Sequence, residues 1–189
     1  AGQVIEMTDS PTEAAKEKPN SSIHVGLGLV QRGEADAFVT MGNTGAVLTI
    51  ATLFTLRRIR GVKRPALTAI FPHAAGRVVA ADIGANADVK PEYLAQFAVM
   101  ANAYARLVMG INQPRVALLS NGEEEGKGNE LIKATIPLMR ELKGVNYIGN
   151  VEPKEVLNGA TDVVIHDGFT GNIFIKSIEA AASMVSKLL

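Results

Sequence analysis

The chain has 189 residues and balanced charge, with 19 Lys and Arg against 19 Asp and Glu. Its 47% hydrophobic and 20% charged residues are typical of a folded globular chain and exclude a disordered one. A net charge near zero gives no electrostatic reason to expect a nucleic acid partner. The absence of cysteine excludes disulfides, a thiolate nucleophile and Cys-ligated zinc, and three scattered histidines do not form a His-rich metal site.

No segment of the sequence is typical of a membrane span or a signal peptide. The apolar run of residues 46–56 is far shorter than the roughly 20 residues that a spanning helix needs. The N-terminus carries Glu6 and Asp9 instead of a basic stretch and an apolar core. The chain lacks an initiator Met and stops inside an apolar helical pattern at Lys187-Leu188-Leu189. We therefore expect one α/β domain over residues 1–189 that is part of a longer protein.

The first third of the chain predicts three helices and one strand. Ser10-Pro11-Thr12-Glu13 is typical of a helix start, with Pro11 in the first helical position and Glu13 closing a capping box. Asn20-Ser21-Ser22 predicts a second cap, before a helix that Gly33 ends. Residues 37–40 predict a short strand. Residues 44–60 predict a helix with arginines in its last turns.

The remainder alternates short apolar runs with segments of helical period. Residues 66–71 and 78–81 predict an antiparallel hairpin. Pro91 opens the clearest helix, which Gly110 stops. Further strands are predicted at residues 116–119, 147–149 and 163–165. A helix is predicted over residues 127–142, with a kink or break at Pro137.

The last predicted helix runs from about Asn172 into the C-terminus. We expect its core side to carry five apolar residues, Phe174, Ile178, Ala182, Val185 and Leu188. Strand, glycine-rich turn and helix recur along the chain, which is typical of an α/β sheet with helices on both faces. In such sheets ligands bind beyond the carboxyl ends of the strands.

Four turns at predicted strand ends all contain Gly and Asn, and each adds Asp, a hydroxyl residue or Lys. They are Gly42-Asn43-Thr44-Gly45, Asp82-Ile83-Gly84-Ala85-Asn86, residues 122–129 with Lys127 between two glycines, and Asp167-Gly168-Phe169-Thr170-Gly171-Asn172. Glycines let backbone N–H groups approach an anion, and a helix N-terminus adds positive potential. Each turn is also compatible with a purely structural role, as a cap, an Asx turn or a solvated loop. The histidines are interpreted as structural, although His166 directly precedes Asp167. The residues alone predict an anion-binding cleft and name no reaction.

Nine short motifs, taken in their order along the chain, resemble those of the bacterial phosphate acyltransferases of phospholipid synthesis, which are acyl-carrier-protein:phosphate acyltransferases. The motifs are Ser21-Ser22-Ile23, Gly33-Glu34-Ala35-Asp36-Ala37, Gly42-Asn43-Thr44-Gly45, Arg64-Pro65-Ala66-Leu67, Asp82-Ile83-Gly84-Ala85-Asn86, Lys90-Pro91-Glu92, Lys127-Gly128-Asn129-Glu130, Gly149-Asn150-Val151-Glu152 and Asp167-Gly168-Phe169-Thr170-Gly171-Asn172. The resemblance implies a three-layer α/β/α sandwich similar to isopropylmalate dehydrogenase-like and phosphotransacetylase folds. It also implies a mostly parallel sheet, to which the predicted hairpin adds an antiparallel pair.

The resemblance implies an enzyme that transfers a fatty acyl group from acyl-carrier protein to inorganic phosphate. A membrane acyltransferase then uses the acyl phosphate to acylate glycerol 3-phosphate. It implies a cytoplasmic homodimer, peripheral at the membrane, with no metal or organic cofactor and no nucleic acid partner. The implied catalytic residues are Lys127, Asn172 and Asp167. The implied substrate-binding residues are Asn43, Thr44, Gly45, Asp82, Asn86, Gly128, Asn129, Gly168, Thr170 and Gly171.

Three alternatives remain open at this point. A nicotinamide-dependent dehydrogenase of related fold would need a dinucleotide-binding turn, but Gly26 and Gly28 fall within a predicted helix. A non-catalytic carrier-protein binding module would need the glycine-rich turns but not Lys127. A short-chain phosphotransacetylase would prefer coenzyme A thioesters to carrier-protein thioesters.

Overall fold

The structure is a computed structural model that describes residues 1–73 and 75–188. The chain divides into two compact units, Ala1–Pro65 and Ala66–Leu189. Each unit has its own hydrophobic core. That residues 1–189 form a single domain stays a prediction.

The first unit consists of short helices around a small apolar core. They are α1 (Pro11–Glu17), α2 (Ser22–Gln31) and α3 (Thr44–Thr49), and α3 continues into a π-helical turn, Ile50–Phe54. Pro11 stands in the first turn of α1 as predicted, but Ser10 makes no side-chain capping bond, so the predicted capping box is absent. Ser21 does cap α2, since its hydroxyl accepts from the backbone N–H of His24 at 3.4 Å.

Two further predictions for the first unit are wrong. Residues 37–40 form no strand; the ring of Phe38 packs against α2, while the side chain of Val39 is 91% exposed. The helix predicted over residues 44–60 ends at Phe54, after the π-helical turn. The arginines at 57, 58 and 60 therefore lie beyond the helix and do not occupy its last turns.

The second unit is built on a five-stranded sheet. Its strands are β1 (Thr68–His73), β2 (Gly76–Ala81), β3 (Arg115–Leu119), β4 (Asn146–Val151) and β5 (Val163–Ile165), in the order β1-β2-β5-β3-β4. The β1–β2 pair is antiparallel, which confirms the predicted hairpin, and the other three pairs are parallel. The register of the β3–β4 pair shifts between Val116 and Ala117, so Ile148 of β4 is the extra residue of a β-bulge.

Four helices complete this unit, namely α4 (Pro91–Leu107), α5 (Glu130–Glu141), α6 (Pro153–Leu157) and α7 (Gly168–Leu188). Helices α4 and α5 pack on one face of the sheet through side chains such as Phe97 and Met139. Helices α6 and α7 pack on the other face through Val156 and Phe174. Because alternate residues of a strand point to opposite faces of the sheet, they contribute to two cores. The predicted three-layer α/β/α sandwich is confirmed.

Several predicted helix limits need correction. Helix α5 begins at Glu130, not at residue 127, and it runs unbroken through Pro137, whose ring lies on the exposed side while Ile132 and Met139 are buried. Helix α6 was not predicted. Helix α7 begins at Gly168 and not at Asn172.

The distal half of α7 also departs from expectation. Phe174 is buried as predicted and Ile178 is partly buried. Ala182, Val185 and Leu188, which were expected in the core, are exposed. Leu189, at the end of the predicted helix, lies outside the described residues. Within the described part of the chain, no helix combines the length and apolar character needed to cross a membrane.

Candidate functional site

Four parallel strands end at one edge of the sheet, and the loop after β2 is the most tightly organised segment there. The side chain of Asp82 is fully buried. Its Oδ1 accepts from the backbone N–H groups of Leu67, Gly84 and Ala85 at 2.9–3.1 Å. Its Oδ2 accepts from the backbone N–H and the side-chain amide of Asn86, each at 2.8 Å. Five donors therefore compensate the buried carboxylate, which holds the loop in one shape.

The first turn of α7 packs directly on this loop. Asp167 precedes α7, and its carboxylate accepts from the backbone N–H of Thr170 at 2.8 Å and from the Thr170 hydroxyl at 2.7 Å. The N–H of Gly168 donates to the carbonyl of Asn86 at 2.8 Å. A Cβ on Gly171 would overlap the carbonyl oxygen of Asp82. The structure therefore brings the predicted loop 82–86 and the predicted turn 167–172 together.

Asn172 and His166 complete this contact. The Asn172 amide donates to the carbonyl of Ile83 at 3.3 Å. The His166 ring is buried, and its Nδ1 lies 2.9 Å from the Asp82 carbonyl oxygen. Burial lowers the pKa of the His166 imidazole, and the hydrogen bonds to backbone carbonyls only partly oppose this effect.

The loop between β3 and α5 carries Lys127. Asn121 Oδ1 accepts from the N–H of Gly128 at 2.9 Å, and Asn129 caps α5 by accepting from the N–H of Ile132 at 3.0 Å. Gly128 has φ +95°, a left-handed conformation that favours glycine. Lys127 is exposed in this loop, and its ammonium makes no hydrogen bond or ion pair with any described residue. Lys127 thus precedes the helix instead of standing in its first turn, but its charge is free to meet an anion.

A groove of about 1500 Å³ opens beside these turns. Its polar residues at the sheet edge include Ser120, Asn121, Asn129, His166, Asp167 and Thr170. Its apolar lining includes Leu119, Ile132, Leu157, Ile173, Phe174 and Ile178. From Thr170 to Ser186 it follows α7, which advances about 24 Å over that stretch at 1.5 Å per residue. The groove therefore joins a polar end to a long apolar wall.

The turn Gly42-Asn43-Thr44-Gly45 belongs to the first unit. Asn43 is buried, and its Oδ1 caps α3 by accepting from the N–H of Ala46 at 3.0 Å. Its amide donates to the backbone carbonyls of Glu6, Met7 and Asp9. A Cβ on Gly45 would meet the ring of Pro11 at 2.7 Å. Asn43 and Gly45 therefore serve packing and capping, whereas the Thr44 side chain is exposed.

Sequence reasoning missed the groove because it assigned the apolar side of α7 to the core along its whole length. Ile173 and Ser177 escaped notice, although Ile173 is 50% exposed. It also missed that Asp167 followed by Thr170 is a capping pattern, which would have placed the start of α7 correctly. Among the described residues there is no group of three or more His, Cys, Asp or Glu side chains able to hold a metal ion.

Residues 1–189 match the profile of a family described as fatty acid synthesis protein. The chain is 48% identical over 189 residues to a protein of Geobacter sp. (strain M21) named phosphate acyltransferase, covering 100% of this chain and 53% of that protein. It is 46% identical over 190 residues to a phosphate acyltransferase of Bacillus licheniformis, covering 100% of this chain and 57% of the relative. The chain spans about half the length of the curated relatives it matches.

Among solved structures, the chain is similar to the EutD phosphotransacetylase from Staphylococcus aureus. The TM-score is 0.63 with 21% sequence identity, covering 90% of this chain and 58% of the other. At this identity the likeness concerns the fold alone, and it agrees with the predicted phosphotransacetylase-like sandwich.

Proposed function

We propose, starting from the fact that this chain belongs to the fatty acid synthesis protein family, that it acts in transferring a fatty acyl group from an acyl-carrier-protein thioester to inorganic phosphate. The product is acyl phosphate, for use in glycerol 3-phosphate acylation. The name phosphate acyltransferase, carried by relatives at 46–48% identity, supports this reaction. The observation that carries the proposal is the groove, which joins polar turns at the sheet edge to an apolar wall along α7.

The apolar part of the groove suits an acyl chain. Side chains such as Ile173, Phe174 and Ile178 offer hydrocarbon surface along α7. Each methylene removed from water there contributes about 0.8 kcal/mol to binding. A long acyl chain would lie along α7, and its thioester would then reach the polar end near Asp167 and Thr170.

The polar end suits the reacting groups. An oxygen of hydrogen phosphate attacks the thioester carbonyl carbon, the new C–O bond forms, and the C–S bond breaks. The proton lost by phosphate ends on the departing thiolate, which leaves as the carrier thiol. Phosphate is already an anionic nucleophile, so the protein's task is to position it and to stabilise the oxyanion that develops at the carbonyl. One well-placed donor contributes about 3–4 kcal/mol to such a step.

We assign that stabilisation to Lys127 and Asn172. The ammonium of Lys127 has no partner among the described residues, so its charge is available to a substrate. The amide of Asn172 uses one N–H on the Ile83 carbonyl and keeps a second N–H. Gly128 and Asn129, beside Lys127, line the groove.

The two carboxylates receive a positioning role in this proposal. Asp82 holds the loop through Asn86, and Asp167 holds the first turn of α7, where Gly168, Thr170 and Gly171 shape the surface offered to substrate. In the first unit, Asn43 and Gly45 support the turn, while the exposed hydroxyl of Thr44 is our candidate for a direct contact with substrate. The resemblance further supports a cytoplasmic, membrane-peripheral homodimer that supplies a membrane acyltransferase.

The test is a thiol-release assay on the complete protein with palmitoyl-acyl-carrier protein. Phosphate-dependent release of the carrier thiol, with acyl phosphate trapped by hydroxylamine, is the expected result. No release from folded protein would refute the reaction and leave a carrier-binding module. Faster release from palmitoyl-coenzyme A would favour a phosphotransacetylase preference, and binding of nicotinamide nucleotides in a fluorescence titration would favour a dehydrogenase.

A further inference from the structure

His166 is held in one orientation by backbone groups. Its side chain is 1% exposed and lies behind the first turn of α7. Nδ1 faces two carbonyl oxygens, that of Asp82 at 2.9 Å and that of Asp167 at 3.3 Å. A carbonyl oxygen only accepts hydrogen bonds, so Nδ1 carries the ring proton and donates it. The other ring nitrogen, Nε2, therefore presents a lone pair.

No group of the described residues donates a hydrogen bond to that lone pair. Nε2 is buried and makes no hydrogen bond with any described residue. His166 nevertheless lines the groove, together with Ser120, Asp167 and Thr170. Buried polar atoms in native proteins nearly always have a partner, so an orphan acceptor at a ligand groove indicates that a ligand or a bound water supplies the donor.

The two reacting groups of the proposed function, the thioester and inorganic phosphate, differ in whether they can supply that donor. An acyl chain and a thioester group have no O–H or N–H to offer. Inorganic phosphate near neutral pH always keeps at least one P–OH group. The fixed Nδ1 proton and the neutral ring leave Nε2 able to accept from such a hydroxyl and unable to donate to a bare oxyanion.

We propose that Nε2 of His166 accepts a hydrogen bond from the P–OH of bound inorganic phosphate and makes the groove select oxyanions that retain a proton. The inference rests on the proposed function and adds a specificity-determining residue to it. Sulfate and monofluorophosphate match phosphate in size but carry no proton at neutral pH, so each would place an unprotonated oxygen against the lone pair. Phosphate is therefore expected to bind well and these two ions poorly.

The principal test compares the complete wild-type protein with His166→Gln, whose amide offers a donor as well as an acceptor. The ratio of the inhibition constant of sulfate to the KM of phosphate is expected to fall about tenfold in the variant. Monofluorophosphate is expected to behave like sulfate, and the KM for the acyl carrier substrate is expected to stay unchanged. An unchanged ratio in a folded variant would overturn the inference, and so would a change confined to the carrier KM.

A second measurement needs no variant and no turnover. The ¹⁵N resonance of His166 Nε2 is expected to shift when inorganic phosphate is added and to stay in place with sulfate. His73, the last residue of β1, pairs with Gly76 at the start of β2, away from the site, and is the control in the same spectrum. Equal shifts with both ions, or none with phosphate, would overturn the inference. Because this readout uses inorganic phosphate alone, it stays informative even if thiol release fails and the proposed function falls.

Discussion

Replacing Gly168 by alanine tests whether the contact between α7 and the loop 82–86 positions the site. A Cβ on Gly168 would lie 2.8 Å from the carbonyl oxygen of Asn86 and 2.9 Å from its nitrogen. Both are backbone atoms, so neither can rotate away. Restoring an ordinary contact of 3.4 Å requires a separation of at least 0.6 Å, the difference between 3.4 and 2.8 Å. Overpacking of this kind costs about 1–3 kcal/mol.

The matched control is Gly126→Ala. A Cβ there meets no described heavy atom within 4 Å, and the backbone of Gly126 is not left-handed. Both variants share the gain of about 0.4–1 kcal/mol that alanine brings by restricting the unfolded chain. The difference between the two variants therefore isolates the contact.

The assay is urea denaturation of both variants beside wild type. For a cost of about 2 kcal/mol and a slope of roughly 2 kcal/mol per M, the Gly168→Ala midpoint falls by about 1 M below the control. Thiol release by Gly168→Ala is expected to slow by about tenfold or more, since displacements near 1 Å in a site cost up to about a hundredfold. A Gly168→Ala protein as stable and active as Gly126→Ala would refute the reasoning.

Three further predictions concern charged and titrating groups. Lys127→Ala is expected to lower thiol release at least a hundredfold, as loss of an oxyanion donor does, with the urea midpoint unchanged; near-normal release would remove Lys127 from the mechanism. Asp82→Asn puts an amide N–H group against some of the five donors around Oδ1 and Oδ2. We therefore expect the free energy of unfolding to fall by about 2–4 kcal/mol. An unchanged urea midpoint would contradict this expectation. Since burial lowers the pKa of His166, its unfolded form takes up a proton first as the pH falls below about 6.5. Below that pH, the free energy of unfolding falls by at most about 1.4 kcal/mol per pH unit, until the pH reaches the pKa of His166 in the folded protein. His166→Gln should lack this component, while His24, whose pKa burial also lowers, contributes equally to both proteins; identical pH profiles would contradict the assignment.

The sequence predicted the elements that rest on local pattern. The stripe of α4, from Leu94 through Phe97 to Ala101, repeats every three to four residues, and these side chains are buried as expected. Strands β3 and β5 are short apolar runs between turn residues, and both were located within a residue. The β1–β2 hairpin followed from its short link. In each case neighbours in sequence carry the information.

The errors arose where long-range packing decides. An extended segment becomes a strand only beside another strand, and nothing local to residues 37–40 shows that Phe38 instead packs on Gly26 of α2. A proline normally interrupts a helix, but buried Ile132 and Met139 on either side of Pro137 hold α5 together. Ala182 and Val185 have the right period for a core, yet they line a groove.

The candidate site, too, was predictable only in the part that rests on local sequence pattern. The turn residues at the sheet edge were found because strand ends in α/β sheets converge. That Asp82 accepts from the backbone of neighbouring residues such as Ala85, and Asp167 from Thr170, was not predictable, since it depends on how the turns fold and pack. The orphan Nε2 of His166 likewise appears only once the ring's neighbours are known.

The two outer strands of the sheet have a consequence for self-association. Strand β1 carries Pro72, which lacks an N–H, and β4 is interrupted by the bulge at Ile148 and by Gly149 at φ +105°. Interruptions of this kind discourage edge-to-edge addition of a strand from another molecule. Two copies of this unit are therefore not expected to merge their sheets into one continuous sheet, and aggregation by strand addition is disfavoured at both ends. For the described residues of this unit, pairing through helices and loops is therefore favoured over pairing through strand edges.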